Sequence, residues 1–178
     1  MNIVDEIFNR SDPSAIALIE GGSLISFGEL KVRMEESAAA LAASRLFPER
    51  PRVAISIPNG IDHIVWSLAV LKAGGTLVPV PGELAMPERA KLVATTAVQC
   101  LISTPGQPWT DGSGETETLP GDATLHGKFD HAAPFDETKL AALNPALIRF
   151  SSGTTGRSKG VVLSQRLCSR GSPPATNV

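Results

Sequence analysis

Ser151, Ser152, Gly153, Thr154, Thr155, Gly156, Arg157, Ser158, Lys159 and Gly160 follow one another near the end of this 178-residue chain. Glycines let a backbone approach an anion and turn successive N–H groups toward one oxygen cluster. Hydroxyls add donors that tolerate several geometries, and a lysine supplies a compact positive charge. That composition suits a loop that wraps polyphosphate. It also fits a solvated Ser/Thr/Gly hairpin turn, and composition alone does not choose between the two.

Spacing narrows the chemistry. A P-loop of the common kind reads G-x-x-x-x-G-K-[S/T] and opens a helix, whereas this segment reads G-x-x-G-x-x-K-G. Apolar residues flank it, with Ala146, Leu147 and Ile148 before and Val161, Val162 and Leu163 after. The loop is therefore expected to join two strands, with no helix dipole to help hold an anion.

The string from Arg149 to Val162 closely resembles the signature of the adenylate-forming (AMP-binding) superfamily, roughly [S/T]-S-G-[S/T]-T-G-x-P-K-G-V. Ser158 is the one departure, since proline is usual there. Two earlier segments agree in the family's order. Leu24, Ile25, Ser26, Phe27, Gly28, Glu29 and Leu30 look like its early L-T-Y-x-E-L element. Val70, Leu71, Lys72, Ala73, Gly74, Gly75, Thr76, Leu77, Val78, Pro79 and Val80 look like its L-K-A-G-G-x-x-V-P-V motif. The resemblance covers about residues 1–165.

It implies attack of a carboxylate on the α-phosphate of ATP, giving an acyl-adenylate and pyrophosphate, with a thiol taking the acyl group in acyl-CoA synthetases. Ser151, Ser152, Gly153, Thr154, Thr155, Gly156 and Lys159 would then hold the β- and γ-phosphates. Thr154, Thr155 and the backbone of Gly153 and Gly156 are the expected main contacts. Mg2+ would ride on the nucleotide, and CoA would serve the parent enzyme. No catalytic residue and no metal ligand is assigned. The family's adenine-binding segment, aromatic-threonine-glutamate motif, ribose-binding aspartate and C-terminal catalytic lysine have no counterpart in the sequence. The chain is thus expected to be the N-terminal third of such a ligase and inactive alone. The alternative is a non-catalytic module that binds phosphate or a partner, and self-association through exposed core is a further expectation.

The elements that must position the loop read as α/β, a parallel-rich sheet with flanking helices. Residues 15–19 and 24–25 flank Gly21 and Gly22 as a hairpin. Ser26 with Glu29 forms a capping box, and Phe27, Leu30, Met34, Ala38 and Leu41 make one helical stripe. A strand at 53–57 leads to a helix over 61–73, stopped by Gly74 and Gly75. A strand at 76–80 follows, which Pro79 and Pro81 place at an edge or before a turn. Pro87 opens a short helix, and residues 97–102 form another strand.

Residues 104–139 are expected to be a long flexible surface connection, pinned by Trp109 and Phe129 and carrying His126 and His131. Residues 166–178 are expected to be a disordered tail outside the family pattern. His63 is read as a structural residue. Net charge of −2 gives no electrostatic case for nucleic acid, and no apolar run is long enough to cross a membrane. Two cysteines, Cys100 in a buried strand and Cys168, fit reduced thiols and a cytoplasmic protein. The N-terminus lacks a basic region followed by an apolar segment, so no signal peptide is expected.

Overall fold

The computed structural model describes residues 2–107, 109, 114–127, 129, 132–151 and 159–166, with backbone alone at 150, 151 and 159. The chain opens with α1 (Ile3–Arg10), whose first turn is capped by the Asn2 side chain accepting from Val4 N. A hairpin follows, β1 (Ile16–Glu20) and β2 (Ser23–Ser26), turning through Gly21 and Gly22 at φ of 55° and 88°. Two positive-φ residues match the strand twist of a tight hairpin, which is why two glycines stand there. α2 (Phe27–Ala43) starts at Ser26.

The main body alternates strands and helices: β3 (Arg52–Ser56), α3 (Ile61–Lys72), β4 (Thr76–Pro79), α4 (Met86–Thr95) and β5 (Cys100–Ser103). β6 (Glu115–Thr118), β7 (Thr124–Gly127), α5 (Glu137–Ala142), β8 (Pro145–Ser151) and β9 (Lys159–Ser164) complete it. Seven strands form one sheet in the order β6-β7-β5-β3-β4-β8-β9. The inner four, β5, β3, β4 and β8, are parallel; β7, β6 and β9 pair antiparallel at the flanks.

Side chains alternate between two cores, as strand geometry requires. Val53 and Ile55 of β3, Leu77 of β4, and Cys100 and Ile102 of β5 pack with Met34, Leu41, Trp66 and Val70 from α2 and α3. Their neighbours Ala54, Val78, Leu101 and Ile148 pack on the other face with Val93 of α4 and Trp109. β3 is buried at every position because both faces are covered.

Most expected elements are present. The capping box and the buried stripe of α2 form, with Phe27 half-buried, and α3 ends where Gly74 takes φ of 86°. Four points of the comparison have physical reasons. α1 was not anticipated, being a short helix held by its cap and by Asn2 donating to Leu71 O at the end of α3. Of the two places its prolines allow, β4 takes the turn: it lies between β3 and β8 and ends at Pro79 before the turn that follows. β5 begins at Cys100 because Ala97 takes φ of 48°, which closes the preceding helix and cannot continue into a strand.

The fourth is the largest. Residues 104–139 are not one long surface connection: β6 and β7 extend the sheet there, and α5 follows. Leu119, Ala123 and Leu125 bury themselves against the α2–α3 core. Trp109 and Phe129 do meet edge to face, with ring centroids 6.4 Å apart.

Candidate functional site

β8 runs parallel to β4 with Leu77 opposite Leu147, so Ser151 lies past the end of β4 on its carboxyl side. β9 returns antiparallel, and Ser151 pairs with Lys159 as the last rung of the hairpin. The open end of this hairpin, between Ser151 and Lys159, thus lies at the carboxyl ends of the parallel strands. The structure brings together the backbones of two predicted site residues, Ser151 and Lys159, about 5 Å apart as facing rungs. Ser152, Gly153, Thr154, Thr155 and Gly156 lie outside the described residues. The expectation that the loop joins two strands holds.

Topology explains why this end suits a ligand. β3 leaves to α3, which packs on the first face, and β4 leaves to α4, which packs on the second. Adjacent strands whose exits part to opposite faces leave a crevice outside their carboxyl ends, the usual ligand position in open α/β sheets. The hairpin of β8 and β9 stands beside that crevice, next to β4.

A groove of about 300 Å³ lies at the same end, beyond β3 and β5, lined among others by Glu20, Asn59, Asp62, Thr104 and Asp122. Three carboxylates make it a poor seat for polyphosphate. One of them is already engaged: Glu20 Oε2 accepts from Ile61 N at 3.0 Å, capping α3 where Gly60 has no side chain to do so. At α4 the Glu88 carboxylate folds back to accept from Ala85 N, the residue before the helix. An acidic side chain thus stands at the start of each helix, which makes both poor seats for an anion.

Other polar groups have structural work. A cavity of about 100 Å³ at the amino ends of the strands is lined by Arg52 and Glu137, which bind each other at 2.7 and 2.8 Å. His63 Nδ1 lies 3.1 Å from Ile57 O, as a structural residue should. His126 is a correction, since it is buried, not on a surface connection, with Nε2 2.9 Å from Ser103 Oγ. His131 and Cys168 lie outside the described residues. Cys100 is a free buried thiol whose pKa burial pushes up to about 12.

Sequence reading missed Glu20 and Gln165. Gln165 Oε1 accepts from Ile3 N, and Gln165 N donates to Asn144 O, so the end of β9 is fastened to α1 and to the approach to β8. No local signal marks either residue, because each acts on chain remote in sequence. Among the described residues no helix is long and apolar enough to cross a membrane.

The family model described as AMP-binding enzyme matches residues 6–171. Tyrocidine synthase 3 of Brevibacillus parabrevis is 29% identical over 160 residues, 86% of this chain and 2% of that protein. The 4-chlorobenzoate–CoA ligase of an Arthrobacter species is 31% identical over 163 residues, 86% of this chain and 31% of the ligase. Among solved structures, the Klebsiella oxytoca NpsA N-terminal subdomain in complex with anthranilyl-AMSN superimposes with a TM-score of 0.64 at 26% identity. That likeness covers 92% of this chain and 40% of the subdomain chain. The chain thus spans well under half the length of each of these proteins.

Proposed function

The chain belongs to the AMP-binding enzyme family, and on that premise we propose that it serves ATP-dependent activation of a carboxylic acid. A carboxylate oxygen bonds to the α-phosphorus of ATP, the bond to the β-phosphate oxygen breaks, and pyrophosphate leaves. The contribution of this chain is to hold the phosphates that depart. Amides of Gly153 and Gly156 and hydroxyls of Thr154 and Thr155 would surround them, with Ser151 and Ser152 as lesser donors. Lys159 would offset their charge, and electrostatic stabilisation of this kind is the main catalytic term in phosphate chemistry.

The observation that supports this reading is Ser151 paired opposite Lys159 at the carboxyl ends of the parallel strands, the two residues that bracket the hydroxyl- and glycine-rich segment in sequence. The donor set suits oxyanions rather than a bare cation. We assign Mg2+ to the nucleotide, as ATP use in the family implies. We take the acceptor to be CoA, as in the acyl-CoA synthetase type; relatives include peptide synthetases as well as CoA ligases. The free buried thiol of Cys100 fits the cytoplasmic setting we propose.

Partial coverage of its relatives favours a second reading, that the chain by itself is inactive and acts as a phosphate-binding module. Calorimetric titration of the 178-residue protein with Mg-ATP and with pyrophosphate tests the first premise. Binding is expected near millimolar, about −4 kcal/mol, and Lys159→Ala should weaken it about tenfold. Affinity unchanged in that variant would remove the loop from the account. Carboxylate-dependent exchange of pyrophosphate into ATP, expected to be absent, separates the two readings.

A further inference from the structure

The geometry points to Asn59 as a site of spontaneous covalent modification, in which its side-chain amide is lost to the following backbone nitrogen and the residue becomes aspartate or isoaspartate. The reaction needs an asparagine whose Cγ can meet the next amide nitrogen, and a next residue too small to obstruct it. Asparagine stands at 2, 9, 59, 144 and 177, and only Asn59 precedes a glycine. The fold disqualifies the other described ones. Asn2 is held at both ends of its amide, Oδ1 accepting from Val4 N and Nδ2 donating to Leu71 O, while the next nitrogen, of Ile3, donates to Gln165. Asn9 and Arg10 lie at the end of α1, where helical amides are paired. Asn144 precedes Pro145, which has no N–H.

Asn59 lies exposed in the bend between β3 and α3. Neither its side chain nor the Gly60 N–H has a hydrogen-bond partner among the described residues. Packing explains the glycine: a Cβ on Gly60 would meet Glu20 Oε1 at 2.3 Å, on the carboxylate whose other oxygen accepts from Ile61 N. The residue that makes room for this cap therefore leaves Asn59 unshielded from its own main chain. The Gly60 nitrogen gives its proton to solvent and bonds to Asn59 Cγ; the Cγ–Nδ2 bond breaks, and Nδ2 takes a proton and leaves as ammonia. A succinimide ring results, and water adds to either of its carbonyls. Breaking the bond from Cγ to nitrogen gives aspartate, and breaking the bond from the main-chain carbonyl carbon to nitrogen gives isoaspartate. Either product adds a carboxylate to the groove that Glu20, Asp62 and Asp122 already line. Isoaspartate also lengthens the main chain by one carbon just before α3. The modification does not depend on what the segment from Ser151 to Lys159 binds, and it stands if the ATP reading falls.

Peptide mapping by mass spectrometry tests it, on the 178-residue protein held at body temperature and mildly alkaline pH. Asn59 is expected to convert about tenfold or more faster than Asn2 and Asn9, which need local opening first. Isoaspartate is expected among its products, since only the ring yields it. The same chain unfolded in guanidinium sets the rate that sequence alone allows. An open bend predicts a folded rate within about tenfold of that value. Asn59→Gln, whose larger ring closes far more slowly, should abolish conversion of this peptide on the same timescale. The wild-type comparison stands even if that variant folds poorly. A folded rate lower than this, conversion to aspartate without isoaspartate, or equal rates at Asn2 and Asn9 would overturn the proposal.

Discussion

Cys100 shows how a single residue reports the quality of the core around it. It is fully buried, opposite Val53 on one side and Gly127 on the other, and burial raises its thiol from 9.0 to about 12. A raised acid pKa means that the folded state holds its proton more tightly than the unfolded chain. The resulting stability is complete below pH 9.0 and is lost as pH rises toward about 12. Denaturant midpoints measured across that window should therefore fall more steeply for the wild type than for Cys100→Ala; parallel slopes would mean that the thiol reaches solvent. The buried thiol was legible in sequence because it sits in an apolar run, whereas His126 was not. A four-residue strand buried at three successive positions, one of them a histidine, carries no alternation to distinguish it from a turn-rich connection.

Among the elements, α2 shows what a local signal can specify. Ser26 Oγ accepts from Glu29 N at 3.2 Å, and Glu29 Oε2 accepts from Ser26 N at 2.8 Å, serving two of the donors a helix start leaves open. Ser26→Ala should cost about 1 kcal/mol in urea unfolding. The Ser26 backbone N–H, then its hydroxyl, holds the exposed Glu29 carboxyl below its usual 4.5. A lowered carboxylate pKa contributes stability above 4.5 that disappears as pH falls through the folded value. Wild type and Glu29→Gln should differ at neutral pH and converge in acid; a constant gap would remove the carboxylate from the cap. Caps, glycine stops and the three parallel strands β3, β4 and β5 were readable for the same reason, since each is encoded within a few residues. β6 was not, because Glu and Thr alternate there without an apolar face. The Ser/Thr/Gly-rich segment was readable by composition, but the place of its flanking strands at the β4 side of the sheet follows only from strand order.

For the whole molecule, the amino end of the sheet is held by one side chain whose partners are far apart in sequence. The Arg52 guanidinium donates Nε to Ala97 O at 2.8 Å, grips both carboxylate oxygens of Glu137, and lies 5.4 Å from the centroid of the Phe135 ring. It thereby joins β3, the turn into β5, and the helix α5 that leads to β8. Its side chain is 10% exposed while that of Glu137 is 53% exposed, so the pair is not symmetric. Removing the arginine strips a donor from the buried Ala97 carbonyl as well as breaking the ion pair, and such orphaned groups are costly. Arg52→Met should destabilise by about 3 kcal/mol. Glu137→Gln keeps a carbonyl acceptor facing the guanidinium and leaves the Ala97 contact intact, so about 1 kcal/mol is expected. Combining them should cost little more than Arg52→Met alone, because the glutamate acts only through the arginine. Equal single costs would mean that Arg52 is one half of a surface ion pair. The predicted asymmetry instead makes it a bolt between segments 45 and 85 positions apart, which no reading of local pattern could have joined.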